Sequence, residues 1–115
     1  FTGFLRAQEV QTMFAHSDVY VMPSVSEPFG ISPLEAMRSG VPTIISKQSG
    51  VAEVLKHAIK VDFWDVDALA DAIYALLAYP ALAEFAAKYG LNEVNTLKWE
   101  NAAYLLKTIY EELKR

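Results

Sequence analysis

Apolar residues are distributed along this chain in two ways, as short, mainly apolar runs and as stripes that recur every three or four positions. The runs at 18–22, 42–46 and 58–62 contain β-branched residues and are typical of buried parallel strands. Around these runs, helical spacing predicts helices over 6–16 and about 33–39. The alternation predicts an α/β fold, a Rossmann-like parallel sheet with flanking helices.

Further helices are predicted on both sides of the third run. A short helix is expected over 51–56, and a stripe of leucine and isoleucine predicts a longer one from about 66 to 78, with Asp65 as its cap. Pro80 favours the start of another helix. We expect that helix to end at Gly90, because glycine commonly terminates helices.

The chain is interpreted as one unit, 1–115, with a helical C-terminal part, 65–115, that includes a last helix around 99–110. Three or four strands are few for a parallel sheet, which is usually larger and covered on both faces. We therefore expect the missing strands upstream of Phe1. The chain is interpreted as an excised second half of a Rossmann-like domain.

Composition narrows the partners and the location that we expect. The formal net charge is −4 and the charges are scattered, which argues against nucleic acid as a partner. The absence of cysteine fits a reducing compartment, so we expect a cytoplasmic location. No run approaches the roughly 18 apolar residues of a transmembrane segment. His16 and His57 have no second histidine or cysteine at ligand spacing, so we expect neither a metal nor a cofactor.

The segment 26–40, SEPFGISPLEAMRSG, joins the first predicted strand to the next helix. Ser32, Pro33 and Glu35 match the pattern of a capping box, which predicts a helix start at Pro33. Gly40 is expected to end the helix. The segment therefore follows the carboxyl end of a parallel strand, where open α/β sheets bind their ligands.

This position suits a phosphate-bearing ligand. The first amides of a helix lack intrahelical partners and carry about half a positive charge in total. Gly30 lets a ligand approach the main chain, so the amides of Gly30 and Ile31 are candidate donors. Pro28 keeps the backbone of Glu27 extended, and the carboxylate of Glu27 can accept hydrogen bonds from sugar hydroxyls.

Each of these residues also has a purely structural interpretation. Glu35 can serve only to cap its own helix, and Glu27 can be a solvated acid in a loop. Phe29 can fill the core rather than stack on a ligand. The residue pattern alone therefore leaves open both a nucleotide or phosphate site and a structural turn.

The longer string PSVSEPFGISPLEAMRSGVPTIIS, followed by SGVAEVL, resembles the donor-binding motif of the family-four retaining glycosyltransferases of GT-B fold. The similarity extends to GFLRAQEVQTMFAHSDVYVMPS upstream and to DVDALADAI downstream. It implies the partial C-terminal domain of such an enzyme, with a nucleotide diphosphate sugar as donor and an acceptor held by an absent N-terminal domain. The stretch EVLKHAIKVD departs from the family by lacking glycines. The arginine and lysine that bind the leaving diphosphate are expected in an earlier strand–helix unit.

The resemblance also implies a role for each matching residue. Glu27 is the catalytic residue that it implies, accepting hydrogen bonds from the donor sugar, while Glu35 binds the ribose. The main chain around Gly30 contacts the sugar and the distal phosphate, and Ser32 and Leu34 shape the diphosphate end. The implied donor-binding set is Glu27, Phe29, Gly30, Ile31, Ser32, Leu34 and Glu35.

Three functions stand as hypotheses. The first is transfer of a hexose by the parent enzyme, the 115-residue piece alone being inactive. The second is a non-catalytic module that binds a nucleotide or sugar phosphate or has only a structural role. The third is glycoside hydrolysis by Glu27 and Glu35, which requires carboxyl groups about 5–5.5 or 6.5–9.5 Å apart. The predicted capping role of Glu35 disfavours hydrolysis.

Overall fold

The computed structural model describes residues 7–23, 31–96 and 109–113. Its helices and strands are, in chain order, α1 Ala7–Ala15, β1 Tyr20–Met22, α2 Ile31–Arg38, β2 Thr43–Ser46, a short 3₁₀ helix Gly50–Glu53, β3 Ile59–Val61, α3 Val66–Ala78 and α4 Pro80–Thr96. Residues 109–113 are also helical. Strands and helices alternate as far as α3, as the hydrophobic pattern predicts.

The three described strands form one parallel sheet in the order β1-β2-β3. Tyr20 pairs with Thr43, and Ile44 pairs with Ile59. All four residues of the central strand β2 are buried, including Thr43 and Ser46, as expected for a strand that is covered on both faces. The predicted α/β fold with a parallel sheet is confirmed.

The core lies on both faces of this sheet. On one face, Ile45 belongs to a cluster with Met37 of α2 and with Leu55. On the other face, Ile44 belongs to a cluster with Leu76 of α3. Successive residues of a strand point to opposite faces, so the two isoleucines of β2 hold different helices in place.

Helix α2 begins earlier than the sequence predicts. Its described part starts at Ile31, so Ser32 lies inside the helix and is not its N-cap. The predicted capping box of Ser32 and Glu35 is therefore wrong. The physical reason is that an N-cap residue needs a non-helical backbone to turn its side chain onto the amide three positions later, whereas Ser32 has a helical backbone.

The other end of α2 is closed by Gly40, as predicted. Gly40 has a φ of 75°, the left-handed conformation that glycine adopts without steric cost. Its amide donates to the Met37 carbonyl at 3.0 Å, and the Val41 amide donates to the Ala36 carbonyl at 3.0 Å. These two hydrogen bonds form a Schellman motif, which turns the chain back toward β2.

The two helices after β3 give one confirmed prediction and one correction. Asp65 caps α3, because its Oδ1 accepts a hydrogen bond from the Ala68 amide at 2.9 Å. Gly90, however, does not end the next helix, since α4 continues to Thr96. Gly90 is buried against α2, and a Cβ at this position would lie 3.1 Å from the Cε of Met37. The glycine therefore allows α4 to pack closely on α2.

The remaining helical predictions are met in part. The short helix expected over 51–56 is a 3₁₀ helix that starts and ends earlier, at Gly50–Glu53. The last helix, predicted around 99–110, lies mostly outside the described residues. Taken one at a time, the described helices are too short or too polar to cross a membrane. Among the described helices, only α3 and α4 taken together are long and apolar enough, and their axes are bent by 100° relative to each other.

Candidate functional site

The carboxyl ends of the three described strands meet at one edge of the sheet, because the strands are parallel. This carboxyl edge consists of the segments that follow Met22, Ser46 and Val61. Helix α2 joins β1 to the amino end of β2, so it must begin at the carboxyl edge. The start of α2 therefore lies on the side of the sheet where the sequence predicts a ligand site.

Helix α2 is fixed by its inner face and exposes its outer face. Pro33 and Met37 are buried almost completely, and Leu34 is half-buried against the core cluster around Met37. Ser32 and Glu35 are exposed. Helical periodicity thus separates packing residues from the two polar residues near the start of the helix.

The carboxylate of Glu35 is available to a ligand. Within the part of the chain that the structure describes, no group donates a hydrogen bond to it. The Glu35 main-chain carbonyl, in contrast, accepts hydrogen bonds from the Ser39 amide at 3.0 Å and from Ser39 Oγ at 2.9 Å. The backbone of Glu35 therefore belongs to the helix, while its side chain faces solvent.

Several predicted site residues cannot be located in the same way. Glu27, Phe29 and Gly30 lie outside the described residues, and so does the loop that would aim the carboxylate of Glu27. For Ile31 the structure gives the main chain, which is the first described position of α2. Of the predicted set, the structure therefore brings together Ile31, Ser32, Leu34 and Glu35 on one helix.

The loop after β2 lies next to the end of β1 at the carboxyl edge, because β1 and β2 are paired neighbours. The Lys47 amide donates to the Val61 carbonyl at 2.8 Å, which extends the pairing with β3 by one residue. Ser49 is buried, and its Oγ donates to the Ser46 carbonyl at 2.7 Å. These two hydrogen bonds turn the chain tightly from the strand into the 3₁₀ helix.

A long-range pair of hydrogen bonds fastens this loop to the segment after β3. Gln48 Nε2 donates to Asp62 Oδ1 at 2.8 Å, and Gln48 Oε1 accepts from the Phe63 amide at 3.0 Å. We call this arrangement of Gln48, Asp62 and the Phe63 amide the carboxyl-edge clamp. The sequence analysis did not predict this clamp. The signal that could have indicated it is that both segments follow strands predicted to lie in one parallel sheet.

The carboxyl-edge clamp also holds a cation near the edge. Lys47 Nζ lies 3.7 Å from Asp62 Oδ2, and the lysine side chain is 56% exposed. An ion pair this exposed contributes little to stability, because water screens it. Asp62 is thus shared between a neutral amide and an ammonium group.

A second long-range contact lies at the opposite edge of the sheet, before β3. The Glu93 carboxylate of α4 accepts hydrogen bonds from the Lys56 amide at 2.7 Å and the His57 amide at 2.9 Å. Its Oε1 also lies 3.4 Å from His57 Nδ1, and the His57 ring stacks on Tyr89 with centroids 5.7 Å apart. We call Glu93 with the two amides the amino-edge clamp.

The titratable groups of the described residues show no metal centre. Among these residues, no three His, Cys, Asp or Glu side chains gather closely enough to hold a metal ion. His16 instead lies at the end of α1, with Nδ1 2.8 Å from the Thr12 carbonyl oxygen. The described polar groups of the carboxyl edge that stay open to a ligand are the first amides of α2 and the Glu35 carboxylate, whereas the clamp groups bond to one another.

The chain belongs to the family described as glycosyl transferases group 1, whose sequence profile matches residues 1–93. The resemblance indicated family-four glycosyltransferases, and the family is now described as group 1 instead. The match covers α1 to α3, the whole described sheet and most of α4. The carboxyl edge thus belongs to a GT-B glycosyltransferase domain, of which this chain is a C-terminal part.

Individual relatives agree with the family. An uncharacterised glycosyltransferase of Methanocaldococcus jannaschii is 30% identical over 116 aligned residues, which cover 96% of this chain and 30% of the relative. A D-inositol 3-phosphate glycosyltransferase of Corynebacterium urealyticum is 34% identical over 110 residues, covering 92% of this chain and 26% of the relative. The chain therefore spans less than a third of the length of these relatives.

A solved structure extends the agreement to three dimensions. The sucrose-phosphate synthase of Thermosynechococcus elongatus superimposes with a TM-score of 0.80 at 33% identity, over 98% of this chain and 29% of that enzyme. The parallel sheet with flanking helices is therefore the Rossmann-like arrangement of a GT-B domain. The predicted fold class and family are confirmed.

Proposed function

We propose that this chain is the donor-binding part of a retaining glycosyltransferase. The parent enzyme moves a hexose from a nucleotide diphosphate sugar to an acceptor that a separate N-terminal domain holds. A cytoplasmic location and a single unit over 1–115 complete the proposal. The observation that carries it is the Glu35 carboxylate, which is exposed near the start of α2, at the carboxyl edge. Among the described residues, no group donates a hydrogen bond to this carboxylate.

The proposed geometry follows from what each group can donate or accept. The amides of Ile31 and Ser32 at the start of α2 suit the donor's diphosphate, because early helix amides lack intrahelical acceptors. Glu35 accepts hydrogen bonds from the ribose hydroxyls. Glu27, which the family resemblance aligns with the donor sugar, accepts from the hexose hydroxyls.

The reaction asks the protein mainly for positioning and charge stabilisation. Departure of the nucleoside diphosphate leaves an oxocarbenium-like carbon, and negative charge grows on the leaving phosphate. A helix N-terminus stabilises an anion by about 0.3–1 kcal/mol, whereas enzymatic acceleration requires about 8 kcal/mol or more. Cations from elsewhere in the parent enzyme must supply most of the difference, so we propose that the 115-residue chain alone is inactive.

The proposal is tested in the full-length protein that carries this chain. Wild type and the variants Glu27→Gln and Glu35→Gln are assayed for transfer from UDP-, GDP- and ADP-sugars. We expect Glu27→Gln to lower kcat/KM by at least about 100-fold and Glu35→Gln by about tenfold, because charged hydrogen bonds to the donor are weakened. Product with the donor's anomeric configuration supports the retaining course.

The matched control is Glu84→Gln, an exposed glutamate on α4 away from the carboxyl edge. Its kcat/KM should equal that of wild type within about twofold. Unchanged transfer by Glu27→Gln would defeat the assignment of the donor site. Binding of a nucleotide sugar without any transfer to an acceptor would favour the non-catalytic module.

A further inference from the structure

We infer that Gln48 is a positioning residue for the donor site, and this inference rests on the proposed function. Gln48 holds the loop after β2 against the segment after β3, and that loop lies next to the end of β1, at the edge of the sheet where α2 begins. Through the carboxyl-edge clamp, Gln48 thus determines where one wall of the donor site lies. It touches no reacting atom.

The chemistry of the clamp explains why the residue is glutamine. Its side-chain amide donates from Nε2 to the Asp62 carboxylate and accepts at Oε1 from the Phe63 amide. A glutamate at this position could accept from Phe63 but would place a second carboxylate against Asp62. An aliphatic side chain could do neither, so both contacts require a donor and an acceptor on one planar group.

The clamp adds to the long-range contacts of the loop. Ser49 ties the loop only to its own strand, since Ser49 Oγ and the Ser49 amide both donate to the Ser46 carbonyl. The Lys47 amide fixes the first residue of the loop to β3. Gln48 is the next residue, and its side chain carries the connection beyond the end of β3 to Phe63.

The loop that holds Gln48 starts close to the end of β1, the strand that leads into the proposed donor site. The register pairs Met22 with Ile45, so β1 and β2 end one residue apart at the carboxyl edge. Neighbouring strands lie about 4.8 Å apart. A loop that shifts by about 1 Å at this distance moves the wall of the site, and misplacements of that size can reduce catalysis by about 100-fold.

The experiment exchanges the hydrogen-bonding groups of the two side chains. Gln48→Glu, Asp62→Asn and the double variant are made in the full-length protein, and KM for the donor is measured separately from kcat. We expect Gln48→Glu to raise the donor KM by about tenfold, because one hydrogen bond is lost and two carboxylates face each other. Asp62→Asn should change it by no more than about twofold, since asparagine still accepts from Gln48.

The double variant separates positioning from general damage. In Gln48→Glu with Asp62→Asn, the asparagine side-chain amide donates to the glutamate carboxylate, and that carboxylate still accepts from the Phe63 amide. The clamp is thus rebuilt with the donor and the acceptor exchanged between the two side chains. We expect the donor KM to return to within about twofold of wild type. If Gln48→Glu folds poorly, the rebuilt clamp keeps the test informative, because its hydrogen bonds are complete.

A control at the other edge distinguishes a local from a global effect. Glu93→Gln weakens the amino-edge clamp and should lower the Tm while leaving the donor KM unchanged. An active enzyme whose Gln48→Glu variant keeps the wild-type donor KM would overturn the inference alone. Failure of the double variant to restore KM would also overturn it. Wild-type protein that neither binds nor uses any of the three nucleotide sugars would reject the proposed function, and the inference with it.

Discussion

The two edges of the sheet are each fastened by one side chain, but the side chains differ in charge and in burial. At the amino edge, Glu93 is 11% exposed and accepts two main-chain hydrogen bonds from residues 36 and 37 positions away. At the carboxyl edge, the neutral amide of Gln48 reaches residues 14 and 15 positions away. Both hydrogen bonds of Glu93 involve its ionised carboxylate, whereas only one of the two that Gln48 makes involves an ionised group, the Asp62 carboxylate. Because hydrogen bonds to an ionised group are the stronger ones, we expect the amino-edge clamp to contribute more to stability. The carboxyl edge keeps exposed charges beside the proposed donor site.

The strongest test of this comparison is removal of the Glu93 carboxylate. Glu93→Ala should lower the free energy of unfolding by about 2 kcal/mol, because two charge-assisted hydrogen bonds disappear. Urea unfolding measures the loss, and faster hydrogen exchange at the Lys56 and His57 amides locates it. Glu93→Gln keeps one acceptor oxygen and should lose about half as much. An unfolding free energy within about 0.5 kcal/mol of wild type would contradict the assigned role.

An intermediate effect is expected from the cap of α3 at the carboxyl edge. Asp65→Ala removes the acceptor of the Ala68 amide and should cost about 1 kcal/mol of unfolding free energy. Asp67→Ala is the matched control, since Asp67 lies in the first turn of α3 and interacts mainly with the helix dipole. Its cost should be about 0.5 kcal/mol or less. Equal losses in the two variants would show that charge, rather than the cap, stabilises this helix start.

The smallest effect is expected from the ion pair of the carboxyl edge. Lys47→Met removes the partner 3.7 Å from Asp62 while keeping the aliphatic stem, and stability should change by less than about 0.5 kcal/mol. Added salt should leave wild type and variant equally stable. A loss above about 1 kcal/mol would mean that the ion pair, rather than Gln48, fastens this edge.

The local elements were predictable because their causes are local. Asp65 caps α3 through an amide three residues away, and Gly40 closes α2 within one turn. The short apolar run at 42–46 likewise predicted that β2 is buried. The wrong predictions concern a serine and a glycine, residue types that occur both at helix ends and inside helices. Gly90 has the residue type of a helix end, but its contact with Met37 makes it a packing residue inside α4.

The sequence motif predicts which residues form the candidate site, but only partly how these residues are arranged in space. The string from Ser26 to Gly40 predicts a site after β1, and the helix that follows carries Glu35 with an exposed side chain. The capping box was wrong because α2 already includes Ile31, and a local serine–glutamate pattern does not determine the first residue of a helix. The position of the Glu27 carboxylate stays a prediction.

The sequence by itself determined the elements, their order and the family, because hydrophobic spacing, caps and a motif of contiguous residues act over a few positions. The tertiary structure decided which distant side chains meet. Gln48 reaches Asp62 because β2 and β3 are neighbours in the sheet, and Glu93 reaches His57 because α4 returns across α2. Such contacts cost chain entropy that only the assembled core repays, so no short stretch of the sequence encodes them.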